Sequence, residues 1–407
     1  MLPSPSIKLP LYGAMKGTPS ALVVGCCMVG TFVFYSARPA SAQDLLYPFD
    51  LSTSLSLRGG YEMKDGEGQN FFEAIPSISA TRADEDWTLS GSASATIDKY
   101  QAENGGVRGV NLDGAVEYQL SRQTSFDAAV SYSLDLPRLN NDDLPDDVAE
   151  APLSQDFGAR ATLAHQFNKT ALEGRVGIAR SQTGPTKLDD DSLVDNSDQN
   201  SWAFSAGGRA SREITPIVSV FYDGEVSRSI YDQASAVLSA KRDGWTFDNR
   251  LGVSASFKDR LSGEISVGQL RRTYDDASLD NVLTTSYGAA ITYQLGNSAS
   301  LEVNAGTALS PATIPGEPTK ITDNLSIGFS QQINDRVGYS LSTEFGREHY
   351  QGSDRTAGQF GIGLEATYLI NSYATAYAGY SYEVSEDSVD GGSRTNAIEA
   401  GLRFTRP

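Results

Sequence analysis

Two histidines, His165 and His349, are the only imidazoles in this chain of 407 residues. A general base working near neutral pH would most readily be one of them. His349 stands beside Arg347 and Glu348, whereas His165 falls in the apolar phase of its segment. No partner nucleophile or paired acid accompanies either, and the sequence holds no G-x-S-x-G elbow, phosphate loop or metal-ligand cluster. A base with nothing to activate performs no chemistry. The expectation is a protein that is not an enzyme and needs no cofactor, with His349 the one candidate base. The two cysteines, Cys26 and Cys27, are adjacent and close to the N-terminus, where they serve neither a fold-spanning disulfide nor a zinc site.

Carboxylates are the second chemical resource. Asp and Glu number 51 against 32 Lys and Arg, giving a net charge of −19. A chain of that sign repels phosphate backbones, so nucleic acid is excluded as a partner. Two stretches concentrate the acids. The first, 137–154, carries Asp142, Asp143, Asp146, Asp147 and Glu150 against Arg138, and the second, 182–200, carries Asp189, Asp190, Asp191, Asp195 and Asp198 against Lys187. Their oxygens suit Ca²⁺, or Mg²⁺ shared with anionic lipopolysaccharide, but neither stretch has the spacing of a helix–loop–helix calcium loop. Solvated acidic loops are the other reading.

A third set of charges recurs at alternate positions within otherwise apolar segments: Glu117, Arg160, Glu173, Arg175, Arg209, Asp223, Glu225, Asp248, Arg250, Glu264, Glu344, Glu365, Glu399 and Arg403. Alternation places them on one face of a strand. Two readings stand. The charges line an open aqueous pore and set its ion preference, or they pair across strands and rigidify or plug the wall.

These charges need strands to position them. Leu51, Thr53, Leu55 and Leu57 alternate with polar residues, and so do 87–98, 110–120 and 126–134. The same period recurs at 71–81, 155–167, 170–181, 201–212, 216–230, 245–257, 262–273, 282–295, 299–310, 323–333, 336–348, 358–370, 372–383 and 393–405. Helical spacing fits none of them. Together they make about 18 strands, with 16 as the alternative, and an even number is the rule for bacterial single-chain barrels. Most run longer than the roughly 9–11 residues needed to cross a bilayer at a tilt, and much longer than sandwich strands. Short connections such as 168–169, 296–298 and 371–372 alternate with long ones at 137–154, 182–200, 231–244, 311–322 and 383–392. The fold class expected is all-β: one antiparallel transmembrane barrel with short periplasmic turns and long acidic extracellular loops.

Ahead of the strands, Lys8 and Lys16 precede an apolar run over 21–35, and Ala40-Ser41-Ala42 precedes Gln43. This is the pattern of a secretory signal peptide over 1–42, leaving 43–407 as the barrel. The run is too short for a spanning helix, and Val23-Val24-Gly25-Cys26, a lipoprotein-like box, has only Ala21-Leu22 ahead of it. Aromatics toward segment ends (Trp87, Tyr118, Phe126, Phe157, Phe167, Trp202, Trp245, Phe257, Phe404) match the girdles of a barrel at the membrane interfaces. The last segment, 394–404, is expected to meet the first, 49–61, with Gly401 and Arg403 inward and Leu402 and Phe404 outward.

The hairpins Y-G-A-A-I-T-Y-Q-L-G-N-S-A-S-L-E-V and I-G-F-S-Q-Q-I-N-D-R-V-G-Y-S-L, with the final T-N-A-I-E-A-G-L-R-F, resemble outer-membrane barrel porins of the β-barrel porin 2 type. Members of that family are often encoded among exopolysaccharide or capsule genes. The chain departs from an ideal barrel terminus, because Thr405-Arg406-Pro407 follows the final aromatic. The resemblance implies an outer-membrane location and no catalytic residues. With the charged inner phase, it implies passive diffusion of small hydrophilic solutes or an auxiliary part in polysaccharide export. The alternative is a non-conducting barrel presenting acidic loops for adhesion. Expected partners are outer-membrane lipid and lipopolysaccharide, the barrel-assembly machinery, and small solutes or polysaccharide.

Overall fold

A computed structural model describes residues 49–101, 105–139, 147–258, 260–312, 317–389 and 391–406. The expected signal peptide and the loop acids Asp142, Asp143 and Asp146 lie outside them. In chain order the strands are β1 (Asp50–Lys64), β2 (Glu67–Ala83), β3 (Trp87–Tyr100), β4 (Gly106–Ser121), β5 (Thr124–Asp135), β6 (Val148–Glu150) and β7 (Ser154–Phe167). There follow β8 (Thr170–Thr183), β9 (Thr186–Leu188), β10 (Leu193–Val194), β11 (Ser201–Glu213), β12 (Val218–Tyr231), β13 (Gly244–Phe257) and β14 (Leu261–Tyr274). The last are β15 (Val282–Leu295), β16 (Ala299–Pro311), β17 (Thr319–Gln332), β18 (Val337–Tyr350), β19 (Thr356–Asn371), β20 (Ala374–Asp387) and β21 (Gly391–Arg406). The short β6, β9 and β10 form a small sheet of their own.

The other strands form one 18-stranded sheet, each pairing antiparallel with its chain neighbours. β1 pairs on one side with β2 and on the other with β21, so the sheet closes on itself. Closure leaves no row of unpaired backbone groups, which is what lets strands stand in lipid. The expected partnership of first and last segments holds, with Leu55 opposite Phe404 and Leu57 opposite Leu402. A strand of 14 residues, such as β12, tilted by about 40°, rises about 35 Å. That exceeds the roughly 30 Å hydrocarbon core.

Both termini of the barrel lie at one rim. There the connections are tight: 84–86, 122–123, 168–169, 214–217, 258–260, 296–298, 333–336 and 372–373. The far rim holds the long connections, 136–153, 184–200 and 232–243. Three far-rim connections depart from the expected alternation. β1 passes into β2 through Asp65-Gly66, with φ of 51° and 92°. This is the mirror-image turn that an Asp-Gly pair favours, and it carries the hairpin past the boundaries the hydrophobic pattern sets. The stretch 383–392, expected as a loop, is mostly strand, because β20 and β21 pair as far as Asp387 and Gly391. The stretch 311–322 likewise shrinks, since β17 begins at Thr319. Polar alternating residues at a rim read as loop by composition but ladder well in water.

Candidate functional site: the charged inner wall

Residues directly opposite one another in an antiparallel pair share a face, so one face can be traced strand by strand around the ring. Starting from Glu173, the path runs to Arg209, Asp223 and Arg250 on β11, β12 and β13. All fourteen charges singled out above lie on this face. The opposite face carries Leu51, Val176, Leu251, Ile265, Val267, Leu283 and Ile398, each more than half exposed. The charged face is the concave one. Arg209 on β11 reaches Glu264 on β14 at 2.7 Å, across three strand spacings, or about 14 Å of wall. Side chains converge enough for that only inside the cylinder.

Along one sector the inner charges form a belt. Arg175 donates from Nη1 and Nη2 to Asp223, at 2.9 and 2.6 Å, and from Nη1 to Glu173 at 3.0 Å. Arg250 pairs with Asp248 at 2.5 Å, and Asp248 also accepts from Ser286 at 3.2 Å. Arg209, besides holding Glu264, lies over the Phe221 ring at 3.6 Å. Two-pronged guanidinium–carboxylate pairs fix orientation as well as charge. Among the described residues Glu117, Arg160, Glu225, Glu344 and Glu365 make no ion pair, while Arg403 lies over Tyr377 at 5.5 Å. Both readings of the inner charges thus have members. Pairing takes up most of the arginines and leaves carboxylates over.

A second cluster escaped the sequence reading. Arg58 binds Glu73 at 2.7 Å and Glu399 at 3.0 Å. Asp98 receives Arg108 at 2.9 Å and Arg138 at 3.3 Å, and Arg138 lies 3.8 Å from the centre of Tyr100, itself stacked on Phe71. Glu73 and Asp98 are each 3% exposed. The signal was present, since Arg58, Glu73 and Asp98 all occupy the polar phase of their strands. Arg138 could not be foreseen, because it comes from the connection 136–153 and bends into the lumen.

Loops also cover part of the far mouth. Tyr231, Leu270, Arg272, Val282 and Ser286 lie on the inner face near that rim and are nevertheless buried. Arg242, in the connection 232–243, donates to the carbonyl oxygens of Ala312 at 2.8 Å and Asp198 at 2.9 Å. Its own carbonyl accepts from Arg272 at 3.2 Å. One guanidinium therefore ties three connections together over the inner wall. Nearer the turn rim the lumen opens into a cavity of about 800 Å³ lined by Lys169, Glu213, Glu264, Glu302 and Asn304.

Neither histidine faces this space. His165 lies on the outer phase, its Nδ1 2.8 Å from Thr124 Oγ1 and its ring edge-on to Phe167. His349 sits on the outer phase of β18 opposite Ile321 and Thr356. In the acidic stretch, Asp190 and Asp195 accept from the backbone N–H groups of Ser192 and Ser197. The side-chain and backbone hydrogen bonds of Ser192 hold the Asp190 carboxyl below the usual range, and the backbone and side-chain hydrogen bonds of Ser197 do the same for Asp195. Lys187 pairs with Glu150 and Asp191. Among the described residues no cluster of three His, Asp or Glu could hold a metal ion.

A family model described as "Putative beta-barrel porin 2" matches residues 54–406. No curated protein matches the chain. Among solved structures, Pseudomonas aeruginosa OpdL is 12% identical over 88% of this chain and 98% of its own, with a TM-score of 0.45. The P. aeruginosa siderophore receptor PirA is 9% identical over 88% and 80%, with a TM-score of 0.44. P. aeruginosa OccK2 (OpdF) is 11% identical over 88% and 98%, with a TM-score of 0.46.

Proposed function

The chain belongs to the "Putative beta-barrel porin 2" family, and on that premise we propose that it is a passive outer-membrane channel for small hydrophilic solutes, favouring cations. The observation that carries the reading is the surplus of unpaired carboxylates on the inner wall. Glu117 and Asp127 stand directly opposite each other, and Glu225, Glu302, Glu344 and Glu365 share their face without an ion-pair partner among the described residues. Barrels of this strand number leave an aqueous lumen, and fixed negative charge in a narrow, low-dielectric passage raises the local concentration of cations. The acidic far-rim connections act in the same direction before a solute enters.

Purified protein in a planar bilayer with a KCl gradient tests this. Discrete conductance steps and a reversal potential displaced toward that of K⁺ are expected. A folded barrel that stays silent, or one that favours Cl⁻, overturns the proposal.

A second reading draws on Arg242 and the three connections it joins. Here the far mouth is a closed platform, and the acidic connections serve adhesion or an auxiliary step in polysaccharide export. Deleting 184–200 separates the two. Altered conductance supports the channel, whereas unchanged solute uptake with lost surface attachment supports the platform.

A further inference from the structure

On the outer face, near the far rim, one arrangement occurs twice. Arg180 on β8 stands directly opposite Trp202 on β11, its guanidinium carbon 5.3 Å from the indole centre. It donates to both oxygens of Asp232, at 2.8 and 2.5 Å. Two strands further on, Arg228 on β12 stands opposite Trp245 on β13, at 5.4 Å, and donates to both oxygens of Asp275 at 2.8 and 2.5 Å. In each case the aspartate directly follows the end of the next-but-one strand. The sequence repeats in step: S-W-A-F and G-W-T-F open the two hairpins, and Y-D-Q-A-S and Y-D-D-A-S close them.

The same step carries Arg228 onto Arg271. Arg271 precedes Tyr274 as Arg228 precedes Tyr231, and it lies on the outer phase of β14 between Phe247 and Leu283. It therefore holds the arginine place of a third module. Leu283, 65% exposed, stands where the first two have tryptophan. The carboxylate is missing: the connection 312–318 contains one acid, Glu317, and that side chain is buried. Arg271 itself is exposed, and no carboxylate pairs with it among the described residues.

A guanidinium stays charged at any physiological pH, and a charge against an apolar, lipid-facing wall requires an anion. In the first two modules the protein supplies it. We infer that at the third the membrane does: Arg271 binds the phosphate of an anionic lipid headgroup in the leaflet at the far rim, taking the place that Asp232 and Asp275 fill. The guanidinium fork donates to phosphate oxygens as it does to carboxylate oxygens, two at a time. The exposed Phe247 and Leu283 beside it, and Val267 beneath it on β14, offer the acyl chains an apolar surface. The inference rests on the barrel standing in a membrane and not on conduction.

Native mass spectrometry of the detergent-purified full-length barrel, titrated with bis-phosphorylated lipid A, tests it. The wild type is expected to retain lipid A, and to hold dephosphorylated lipid A and phosphatidylcholine far more weakly. Arg271→Gln should weaken lipid A binding about tenfold, the scale of one charge-assisted contact, while Arg271→Lys should stay within about threefold. Leu283→Asp, which sets a carboxylate opposite Arg271, should weaken it comparably. This gives a second reading if Arg271→Gln fails to fold. Excess inorganic phosphate should not displace the lipid. Equal lipid A binding by either folded variant, equal binding of the dephosphorylated form, or displacement by inorganic phosphate each overturns the inference. Conductance of Arg271→Gln should match the wild type, so a failed channel proposal leaves this result readable.

Discussion

Arg242 donates one hydrogen bond to the carbonyl of Ala312 and another to that of Asp198, so a single buried cation links three far-rim connections. The residue is 4% exposed. Removing it leaves two buried carbonyls without their donor and a void above Tyr231, over whose ring it lies at 4.7 Å. Arg242→Ala is expected to destabilise the far mouth by about 2–4 kcal/mol, raise single-channel conductance and expose 232–243 to protease. Unchanged conductance and digestion would show that these connections do not narrow the lumen.

Charge preference has its own test in β4 and β5. Glu117 and Asp127 are directly opposed carboxylates with no cation partner among the described residues. The double variant Glu117→Gln, Asp127→Asn should move the reversal potential in a KCl gradient toward zero. It should also raise stability slightly, by up to about 1 kcal/mol, because like charges opposite each other repel. A reversal potential that does not move would place selectivity elsewhere.

The belt on the neighbouring sector differs, because there the charges are spent on each other. Asp223→Ala removes both prongs held by Arg175 and leaves that guanidinium half-buried with Glu173 alone. A loss of about 1–3 kcal/mol is expected, read as a lower unfolding midpoint in urea. Asp223→Asn, which keeps one acceptor, should recover part of it.

Closure can be trapped covalently. Leu57 and Leu402 are direct partners across β1 and β21, close enough for a bridge between opposite strand positions. With Leu57→Cys and Leu402→Cys, oxidation should give a disulfide that holds the barrel closed after heating in detergent. Failure to bridge in a folded sample would refute the closing register. Phe404→Asp, two residues beyond Leu402 on the same face and opposite Leu55, should reduce outer-membrane yield.

The outer-face modules predict a pH response with a definite sign. Hydrogen bonds from Arg180 and from Arg228 hold the carboxyls of Asp232 and Asp275 below the ordinary carboxylate range. A group whose folded pKa is depressed stabilises the fold above its unfolded pKa, about 3.9, and loses that contribution as pH falls through the folded value. Fluorescence of Trp202 and Trp245, against which these arginines lie, should therefore be flat from neutral pH to about pH 5 and change only in stronger acid. A transition centred near pH 6 would contradict the pairing.

Much of this was legible in the chain. Period-2 alternation from Leu51 to Phe404 is local information, since each strand's two faces are written in its own residues. That is why the strand count, the closing partnership and the inner phase of the fourteen charges could be read directly. Rim boundaries were less legible. At Asp65-Gly66 and around Asp387 the pairing continues past the apolar pattern, because backbone hydrogen bonds need no hydrophobic side chains to form a ladder in water. The repeated Trp, Arg and Tyr-Asp positions of the outer modules were also in plain sight, but their meaning depends on which strands become neighbours.

The architecture thus follows from local alternation: an alternating chain with this many strands satisfies its backbone polar groups by closing on itself, with apolar side chains outward. Which inner charges cancel is set by the closed ring. Arg209 meets Glu264, and Arg58 meets Glu399, because closure and curvature bring residues far apart in sequence within a side chain's reach. The same holds for Arg242, whose partners on two other connections are set by how the loops fold over the mouth. Charge and alternation are properties of single strands, whereas pairing and occlusion belong to the ring.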